Sequence, residues 1–174
     1  SFWGCYALGK LETVSQNRFY SSKNGVLYDK SFKRLIICPP AKRALYIPMG
    51  VLSVADNACL ANLREIFIPS SVSSIGRRAF SYSSGERTVH VCSNDVERIR
   101  RLILEAGHNT MGMRFVEDYS SSDEDKVMSM QKSLTSSRVF KSLDYKSETV
   151  DGVTWQYFIS NGVAVVEHPI ISGR

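Results

Sequence analysis

The two residues best spaced for covalent chemistry are His90 and Cys92, which stand two apart in the run TVHVC. Side chains two apart on a β-strand point to the same face, so an imidazole could in principle activate the neighbouring thiol as a nucleophile. Such a pair also needs an acidic group that orients the base and a turn that binds an oxyanion, and the surrounding sequence matches neither role. A cysteine-dependent hydrolase is therefore the least favoured function.

The sequence contains none of the common catalytic or metal-binding patterns. It has no glycine-rich phosphate loop followed by Lys, no Gly-x-Ser-x-Gly elbow and no His-Glu-x-x-His run. His90, His108 and His168 are scattered, and no two cysteines have the Cys-x-x-Cys spacing of a zinc site. The sequence predicts a protein that is not an enzyme and needs no metal or cofactor.

The formal net charge of +5 is divided unevenly along the chain. Residues 1–116 contain 16 Lys or Arg against 8 Asp or Glu, whereas residues 117–174 contain 6 against 9. A basic region can attract an acidic partner such as a glycan, a nucleic acid or an anionic surface. Binding of a nucleic acid or another polyanion is thus an alternative function, ranked below a protein or glycan partner. Its candidates are basic and aromatic residues of a predicted helix and a predicted turn: Arg98, Arg100, Arg101, Lys30, Lys33, Arg34, Tyr28 and Phe32.

Residues 44–80 contain the same pattern twice, 21 residues apart. LYIPMGVLSVADNAC begins at Leu45 and IFIPSSVSSIGRRAF begins at Ile66, so an Ile-Pro dipeptide, two apolar positions and a closing Ala recur in register. A fixed period of this length is typical of a solenoid, in which each coil buries its apolar face against the next. We predict that residues 45–47 and 66–68 form adjacent parallel strands. The side chains predicted to be buried are Ile47, Val51, Val54, Ile68, Val72, Ile75 and Phe80.

The second copy, L-x-x-I-x-I-P-x-x-V-x-x-I-G-x-x-A-F over residues 63–80, resembles the BspA-like leucine-rich repeat family of bacterial surface proteins. The first copy departs from this pattern at Ala55, where the family has Gly, and at Cys59, where it has Phe. The resemblance implies a leucine-rich repeat solenoid of the β-rich α/β class, with a parallel sheet on one face and short turns or helical segments on the other. It also implies an inserted β-hairpin and a C-terminal capping helix.

Two further segments resemble parts of the same family. The run Y-x-S-x-x-G-V-L-Y-x-K, which begins at Tyr20, fits a hairpin that members insert between coils, and its apolar strands at 26–28 and 35–38 end before Pro39-Pro40. Residues 151–174 fit an antiparallel hairpin with an Asn161-Gly162 turn, which opens a repeat array in related proteins.

A helix is predicted at residues 95–106. Asn94 is its expected N-cap, with Glu97 bonding back to it, and Gly107 is its expected left-handed stop. The helix should cap the end of the array, and a further strand is expected at 113–116. Its apolar stripe consists of Val96, Ile99, Ile103 and Ala106.

We divide the chain into three parts. Residues 1–118 are the predicted leucine-rich repeat array, with the hairpin insertion at 17–38 and the cap helix at 95–106. Residues 119–150 are a predicted linker, which begins with the polar run YSSSDED and has a weak helical pattern at 126–143. Residues 151–174 are a predicted β-hairpin that starts a second array.

We expect the chain to be a piece of a longer protein. It opens at Ser1-Phe2, which matches the end of a coil, so targeting signals are expected to lie elsewhere. No apolar run of about 18 residues predicts a membrane span in this piece.

Four cysteines, Cys5, Cys38, Cys59 and Cys92, would allow three disulfide connectivities in a secreted chain. Each stands where the repeat needs a small or apolar residue, which is typical of cysteines that fill a core. We therefore expect four free thiols. If any disulfide forms, Cys38 and Cys59 are its most plausible partners.

The predicted function is that of a non-catalytic protein-interaction or adhesion module of a larger protein, located on a bacterial cell surface or secreted. The resemblance implies this setting and a protein or glycan partner, such as a component of a host matrix. The predicted binding residues are the outward strand positions Tyr46, Arg64, Phe67 and His90. Because Tyr46 and Phe67 hold equivalent positions one coil apart, we expect an exposed aromatic ladder flanked by Arg64.

Overall fold

The structure is a computed structural model that describes residues 7–59, 61–80, 85–124, 145–150, 153–160 and 163–170. Cys5, the Asn161-Gly162 turn and the weak helical pattern at 126–143 lie outside the described residues. The elements in chain order are β1 (Lys10–Thr13), β2 (Tyr20–Lys23), β3 (Val26–Asp29), β4 (Arg34–Ile37), β5 (Ala44–Tyr46), β6 (Ser53–Val54), β7 (Glu65–Ile68), β8 (Ser74–Ile75), β9 (Arg87–Val91), α1 (Val96–Glu105), β10 (Met113–Val116), β11 (Tyr145–Val150), β12 (Val153–Ser160) and β13 (Val163–Ile170).

The first sheet is entirely parallel and has the strand order β10-β9-β7-β5. Its register pairs Leu45 with Ile66 and Ile66 with Val89, and all three side chains are fully buried on the inner side of the sheet. Alternation along the strands sends the intervening residues to the outer side. The prediction that the strands of the two repeat copies are adjacent and parallel is confirmed.

The second sheet is mixed and has the strand order β2-β3-β4-β6-β8. Strands β2, β3 and β4 pair antiparallel, and the first hairpin turns at Asn24-Gly25, where φ is 54° and 73°. Positive φ at both positions is the geometry that a tight hairpin requires. Strands β4, β6 and β8 pair in parallel, with Leu35 opposite Val54 and Val54 opposite Ile75.

One apolar core lies between the two sheets and helix α1. Ile99 and Ile103 of α1 are fully buried in it, together with inner residues of both sheets. Removal of this apolar surface from water is the main favourable contribution to folding. The seven residues predicted to be buried are all buried: Ile47, Val51, Val54, Ile68, Val72, Ile75 and Phe80.

The third sheet joins strands from the two ends of the chain in the order β1-β13-β12-β11. Strand β13 pairs in parallel with β1, from Val163 opposite Lys10 to Val166 opposite Thr13, and antiparallel with β12. The first hairpin of the second sheet also contacts β1, because the amide of Leu11 donates to the carbonyl oxygen of Gly25 at 3.0 Å. The division of the chain into array, linker and second array stays a prediction.

The predicted fold class, a leucine-rich repeat solenoid, is wrong. A five-stranded mixed sheet, instead of short turns or helical segments, lies opposite the parallel sheet, and the segment predicted as a hairpin insertion forms three of its strands. The predicted cap helix does not end the parallel sheet, since β10 follows it and pairs with β9. The repeat pattern has only two copies, and the strands that flank them do not continue it. Strands β2, β3 and β4, for example, pair antiparallel. The described residues form a sheet-rich α/β fold with a single helix.

Helix α1 begins differently from the prediction. Asp95, and not Asn94, is the N-cap residue, and its side chain makes no capping hydrogen bond to the helix amides. Asn94 has a φ of 62°, and the Asp95 carboxylate instead accepts hydrogen bonds from the Arg98 guanidinium at 2.6 and 2.7 Å. At the other end Gly107, with a φ of 81°, is left-handed as predicted.

Gly76 is required by the close approach of the two repeat copies. Its amide donates to the carbonyl oxygen of Val54 at 2.8 Å. A Cβ at this position would lie 2.6 Å from the carbonyl carbon of Ala55, which is far inside van der Waals contact. Only a residue without a side chain lets the two backbones pass at this distance.

The three described cysteines, Cys38, Cys59 and Cys92, are free thiols, as predicted. Cys38 and Cys59 face each other in a parallel bridge, and both are buried. Burial, assisted by the neighbouring Cys38, raises the pKa of the Cys59 thiol well above its usual value. The thiol is consequently protonated at neutral pH and serves as core filling.

Two leucine truncations should separate core from surface. Leu45 is fully buried, whereas Leu52 is 44% exposed. We expect Leu45→Ala to lower the free energy of unfolding by about 2–5 kcal/mol, because it leaves a cavity, and Leu52→Ala to lower it by no more than about 0.5 kcal/mol. Urea denaturation of both variants checks this, and equal losses would contradict the placement of the core.

Candidate functional site

Three rings lie side by side on the outer side of the parallel sheet. Tyr46, Phe67 and His90, here called the ring row, occupy register positions directly opposite one another on β5, β7 and β9. The rings of Phe67 and His90 stack with their centroids 4.0 Å apart and their planes at 6°, and the centroid of Tyr46 is 6.2 Å from that of Phe67. The predicted aromatic ladder is therefore present, and contacts of this kind stabilise neighbouring strands.

Tyr119 covers one end of the ring row. Its ring stacks on Tyr46 with centroids 5.5 Å apart, and its amide donates to the carbonyl oxygen of Val91 at 3.0 Å. Its hydroxyl donates to the carbonyl oxygen of Ile47 and shares a hydrogen bond with the Tyr46 hydroxyl, each at 2.9 Å. Tyr46 and Phe67 are each only 7% exposed, because Tyr119 packs against this cluster and His90 stacks on Phe67. Burial raises the pKa of Tyr119, helped by the bond to Tyr46, and burial raises the pKa of Tyr46 as well.

His90, at the other end of the ring row, is held between two carboxylates. Its Nδ1 lies 2.6 Å from Oδ1 of Asp118 and its Nε2 lies 2.7 Å from Oε2 of Glu65. Both nitrogens are thus engaged with carboxylate oxygens and not with the thiol of Cys92. The histidine and cysteine that could have formed a nucleophilic pair make no such contact.

The predicted ladder is present, but the prediction that it is exposed is wrong. Of the four predicted binding residues, Tyr46 and Phe67 are buried, His90 is half-buried, and only Arg64 is exposed. Arg64 does not flank the ring row as predicted, because it stands one position before Glu65 and therefore on the alternate side of the sheet. The ladder is covered by His90, which stacks on Phe67, and by Tyr119, which belongs to a segment whose polar composition indicated a linker. Whether any of these four residues contacts a partner stays a prediction.

An open cavity of about 440 Å³ lies at the amino-terminal ends of β7, β9 and β10. We call it the arginine cavity because three arginines contribute to its wall. Arg87 is buried and donates to the carbonyl oxygen of Phe80 at 3.2 Å, while Arg64 and Arg114 are exposed. Burial lowers the pKa of Arg87. The lining residues are Arg64, Glu65, Glu86, Arg87, Thr88, Gly112, Met113 and Arg114.

Exposed apolar residues gather on turns at one end of the second sheet. Among the described residues six large apolar side chains are exposed, and four of them lie on these turns: Phe19, Phe32, Met49 and Leu52. The exposed cations Arg18, Lys30 and Lys33 stand on the same turns, and the exposed Arg34 begins β4 directly after one of them. We call these eight residues the turn surface.

Backbone hydrogen bonds join the turns of the turn surface. The amide of Lys30 donates to the carbonyl oxygen of Phe19 at 2.9 Å, and the amide of Leu52 donates to that of Lys33 at 2.8 Å. The Asp29 carboxylate accepts from the amides of Lys33 and Arg34 at 2.7 and 2.8 Å.

The pKa of Asp29 is consistent with its role as the acceptor for these turn amides. Burial by itself would raise the pKa of Asp29, but hydrogen bonds from Ser31 and from the amides of Arg34 and Lys33, with the Arg34 charge, lower it overall. The carboxylate is therefore ionised at neutral pH and holds the turn in one conformation.

The arginines of α1 are less available than predicted. The Arg98 guanidinium donates to the carbonyl oxygens of Ser70, at 3.0 Å, and Val72, so it ties the helix to the preceding repeat. Arg100 lies over the ring of Phe115, 4.7 Å from its centroid. Of the three helix arginines predicted to bind a polyanion, Arg101 alone is exposed.

No protein-family model, curated protein or solved structure matches this chain. Within the part of the chain that the structure describes, no helix is long and apolar enough to cross a membrane. The same residues include no group of three or more His, Cys, Asp or Glu side chains that could hold a metal ion.

Sequence reasoning missed Arg87 and Arg114 of the arginine cavity and Phe19, Met49 and Leu52 of the turn surface. One pattern could have indicated the cavity, because Arg64 and Arg87 hold equivalent positions at the start of neighbouring parallel strands. The turn surface has no comparable pattern, since its residues come from three separate turns.

Removal of one hydroxyl should test how Tyr119 is held. We expect Tyr119→Phe to lower the free energy of unfolding at pH 7 by about 1–2 kcal/mol, because the hydrogen bonds to Ile47 and Tyr46 are lost. In the unfolded chain a tyrosine ionises near pH 10, while the raised pKa keeps Tyr119 protonated in the fold, so its contribution falls as the pH rises above about 10. The gap between wild type and variant should therefore narrow between about pH 9 and 11. Chemical denaturation across that range checks this, and a constant gap would contradict it.

Proposed function

We propose that this chain is a non-catalytic protein-interaction module that recognises an acidic, partly apolar segment of a partner protein through the turn surface. The observation that carries this proposal is the gathering of four exposed apolar side chains and four exposed cations on or directly after hydrogen-bonded turns. Single exposed apolar residues are common on soluble proteins, but grouped ones mark interaction sites.

The apolar residues supply the contact area. Met49 is 57% exposed, Phe19 53%, Leu52 44% and Phe32 37%, so each has a large apolar surface that a partner could remove from water. Burial of such surface contributes roughly 25 cal/mol per Å². Phenylalanine and methionine are also residue types that interface centres favour.

The cations indicate the charge of the partner. Lys30 and Lys33 donate from Nζ to the backbone carbonyl oxygens of Asn17, at 2.8 Å, and Gly50, at 3.3 Å. Neither contact neutralises the lysine charge. Carboxylates of a partner would be attracted to this rim and oriented by it.

A protein segment suits the turn surface better than a nucleic acid. Two of its four apolar residues, Met49 and Leu52, are aliphatic and offer no ring on which a base could stack. The helix half of the predicted polyanion surface is also engaged in other contacts through Arg98 and Arg100.

Preorganisation supports the same proposal. The turns are fixed by backbone hydrogen bonds from 2.8 to 2.9 Å and by the Asp29 carboxylate, so binding would require little additional ordering.

The resemblance to BspA-like surface proteins supports a cell-surface setting. We accordingly propose adhesion to a host or matrix protein as the context, with the outer sheet face as a less accessible contact.

A pair of matched variants tests the proposal. Lys33→Glu/Leu52→Ser alters one cation and one exposed apolar residue of the turn surface, and Arg101→Glu/Leu104→Ser makes the same changes on the exposed side of α1. The probes are labelled short peptides rich in Glu and Leu, peptides with the same Glu content and Ser in place of Leu, and a single-stranded oligonucleotide. Binding is measured by fluorescence anisotropy.

We expect the Glu-Leu peptide to bind most tightly, and Lys33→Glu/Leu52→Ser to weaken that binding about ten-fold or more while the α1 variant binds as wild type does. Two results would count against the proposal. One is equal binding of the Glu-Ser peptide or the oligonucleotide, which indicates a general polyanion surface. The other is equal weakening in both variants.

A further inference from the structure

We infer that the arginine cavity is a second binding site, separate from the turn surface, and that it takes a ligand bearing a tetrahedral oxyanion such as a phosphate or sulfate group. The two sites stand at opposite ends of the parallel strands. The cavity lies where β7, β9 and β10 begin, whereas Met49 and Leu52 of the turn surface follow the end of β5.

The strand register brings the cavity residues together. Arg114 pairs with Thr88, and Thr88 pairs with Glu65, so these three residues form one row across three neighbouring strands on the outer side. Arg87 and Arg64 stand one position earlier on β9 and before β7, which places them on the alternate side of the sheet. A group entering the cavity would therefore meet guanidinium groups from both sides of the sheet's end.

The charges of the cavity favour an anion. Glu65 is already engaged, since its Oε2 lies 2.7 Å from Nε2 of His90. Three arginines and one further carboxylate, that of Glu86, line the cavity. Among the described residues neither the Arg64 nor the Arg114 side chain makes a hydrogen bond or an ion pair, so both guanidinium groups are available.

The buried arginine adds to the attraction. Arg87 is 8% exposed, lies in the wall of the cavity and donates to the carbonyl oxygen of Phe80, and its burial lowers its pKa. An anion nearby would further stabilise its charged form. Two available guanidinium groups and a partly desolvated one line the same cavity, and planar, forked donors of this kind bind phosphate and sulfate oxygens well.

The size of the cavity indicates a group attached to a larger molecule. A free sulfate or phosphate would fill only part of about 440 Å³, a volume in the range of small-molecule sites. The Thr88 hydroxyl and the Glu86 carboxylate line the same space and can accept hydrogen bonds from hydroxyl groups. A sulfated or phosphorylated sugar has both kinds of group, and the free inorganic ion has only the first.

The experiment compares the binding of three ligands to the whole chain by isothermal titration calorimetry: inorganic phosphate, inorganic sulfate and glucosamine 6-sulfate. Glucosamine, which lacks the sulfate group, is the control. The variants are Arg64→Gln/Arg114→Gln and, as the matched control, Arg77→Gln/Arg101→Gln, which removes two exposed arginines that do not line the cavity. Titration by ¹H–¹⁵N NMR locates binding through the amides of Thr88 and Gly112.

We expect saturable binding of at least one oxyanion, amide shifts at Thr88 and Gly112, and at least a ten-fold loss of affinity in Arg64→Gln/Arg114→Gln but not in Arg77→Gln/Arg101→Gln. Tighter binding of glucosamine 6-sulfate than of the inorganic ions supports a sugar-borne group, and equal binding supports recognition of the oxyanion itself. Absence of saturable binding by every oxyanion, or equal affinity in both variants, would overturn the inference. The peptide assay on the turn surface is independent of these results.

Discussion

Backbone pairing between segments 21 residues apart is the interaction on which the rest of this structure depends. It joins β5 to β7 and β6 to β8. It also continues past the ends of these strands, where the amide of Ile47 donates to the carbonyl oxygen of Phe67 and the amide of Gly76 donates to the carbonyl oxygen of Val54. The two repeat copies are thus linked along both sheets and share one apolar core. Their separation is so small that Gly76 has no room for a side chain.

The wider strand pairing that extends from these two copies positions both proposed binding sites. At one end β4 pairs with β6, which stacks the turns that carry Phe32 and Leu52, and at the other β7, β9 and β10 pair so that their beginnings lie around Arg87. Between them, on the outer side, it aligns the ring row, which Tyr119 then covers. A module with a fixed backbone can present two chemically different surfaces without a conformational change, because neither depends on the ordering of a loop at the moment of binding.

The sequence predicted the features that follow from local pattern and failed where distant segments decide the outcome. The 21-residue register, the buried positions and the strand at 113–116 are correct, because apolar spacing determines them. The opposite sheet was not predicted, because β6 and β8 are two residues long and such strands carry no periodicity. The covered ring row was not predicted either. Tyr119 lies in a polar run, and its stacking on Tyr46, 73 positions earlier, leaves no trace in local composition.

The most direct test of this account is the detection of scalar couplings across individual hydrogen bonds by NMR. If residues 21 apart are paired as described, a coupling should connect the amide nitrogen of Gly76 with the carbonyl carbon of Val54, and another should connect Ile47 with Phe67. Together these couplings fix the register of the β5–β7 and β6–β8 pairs. Couplings displaced by one residue, or a Gly76 amide that exchanges with solvent as fast as an unpaired one, would contradict the pairing of the two repeat copies.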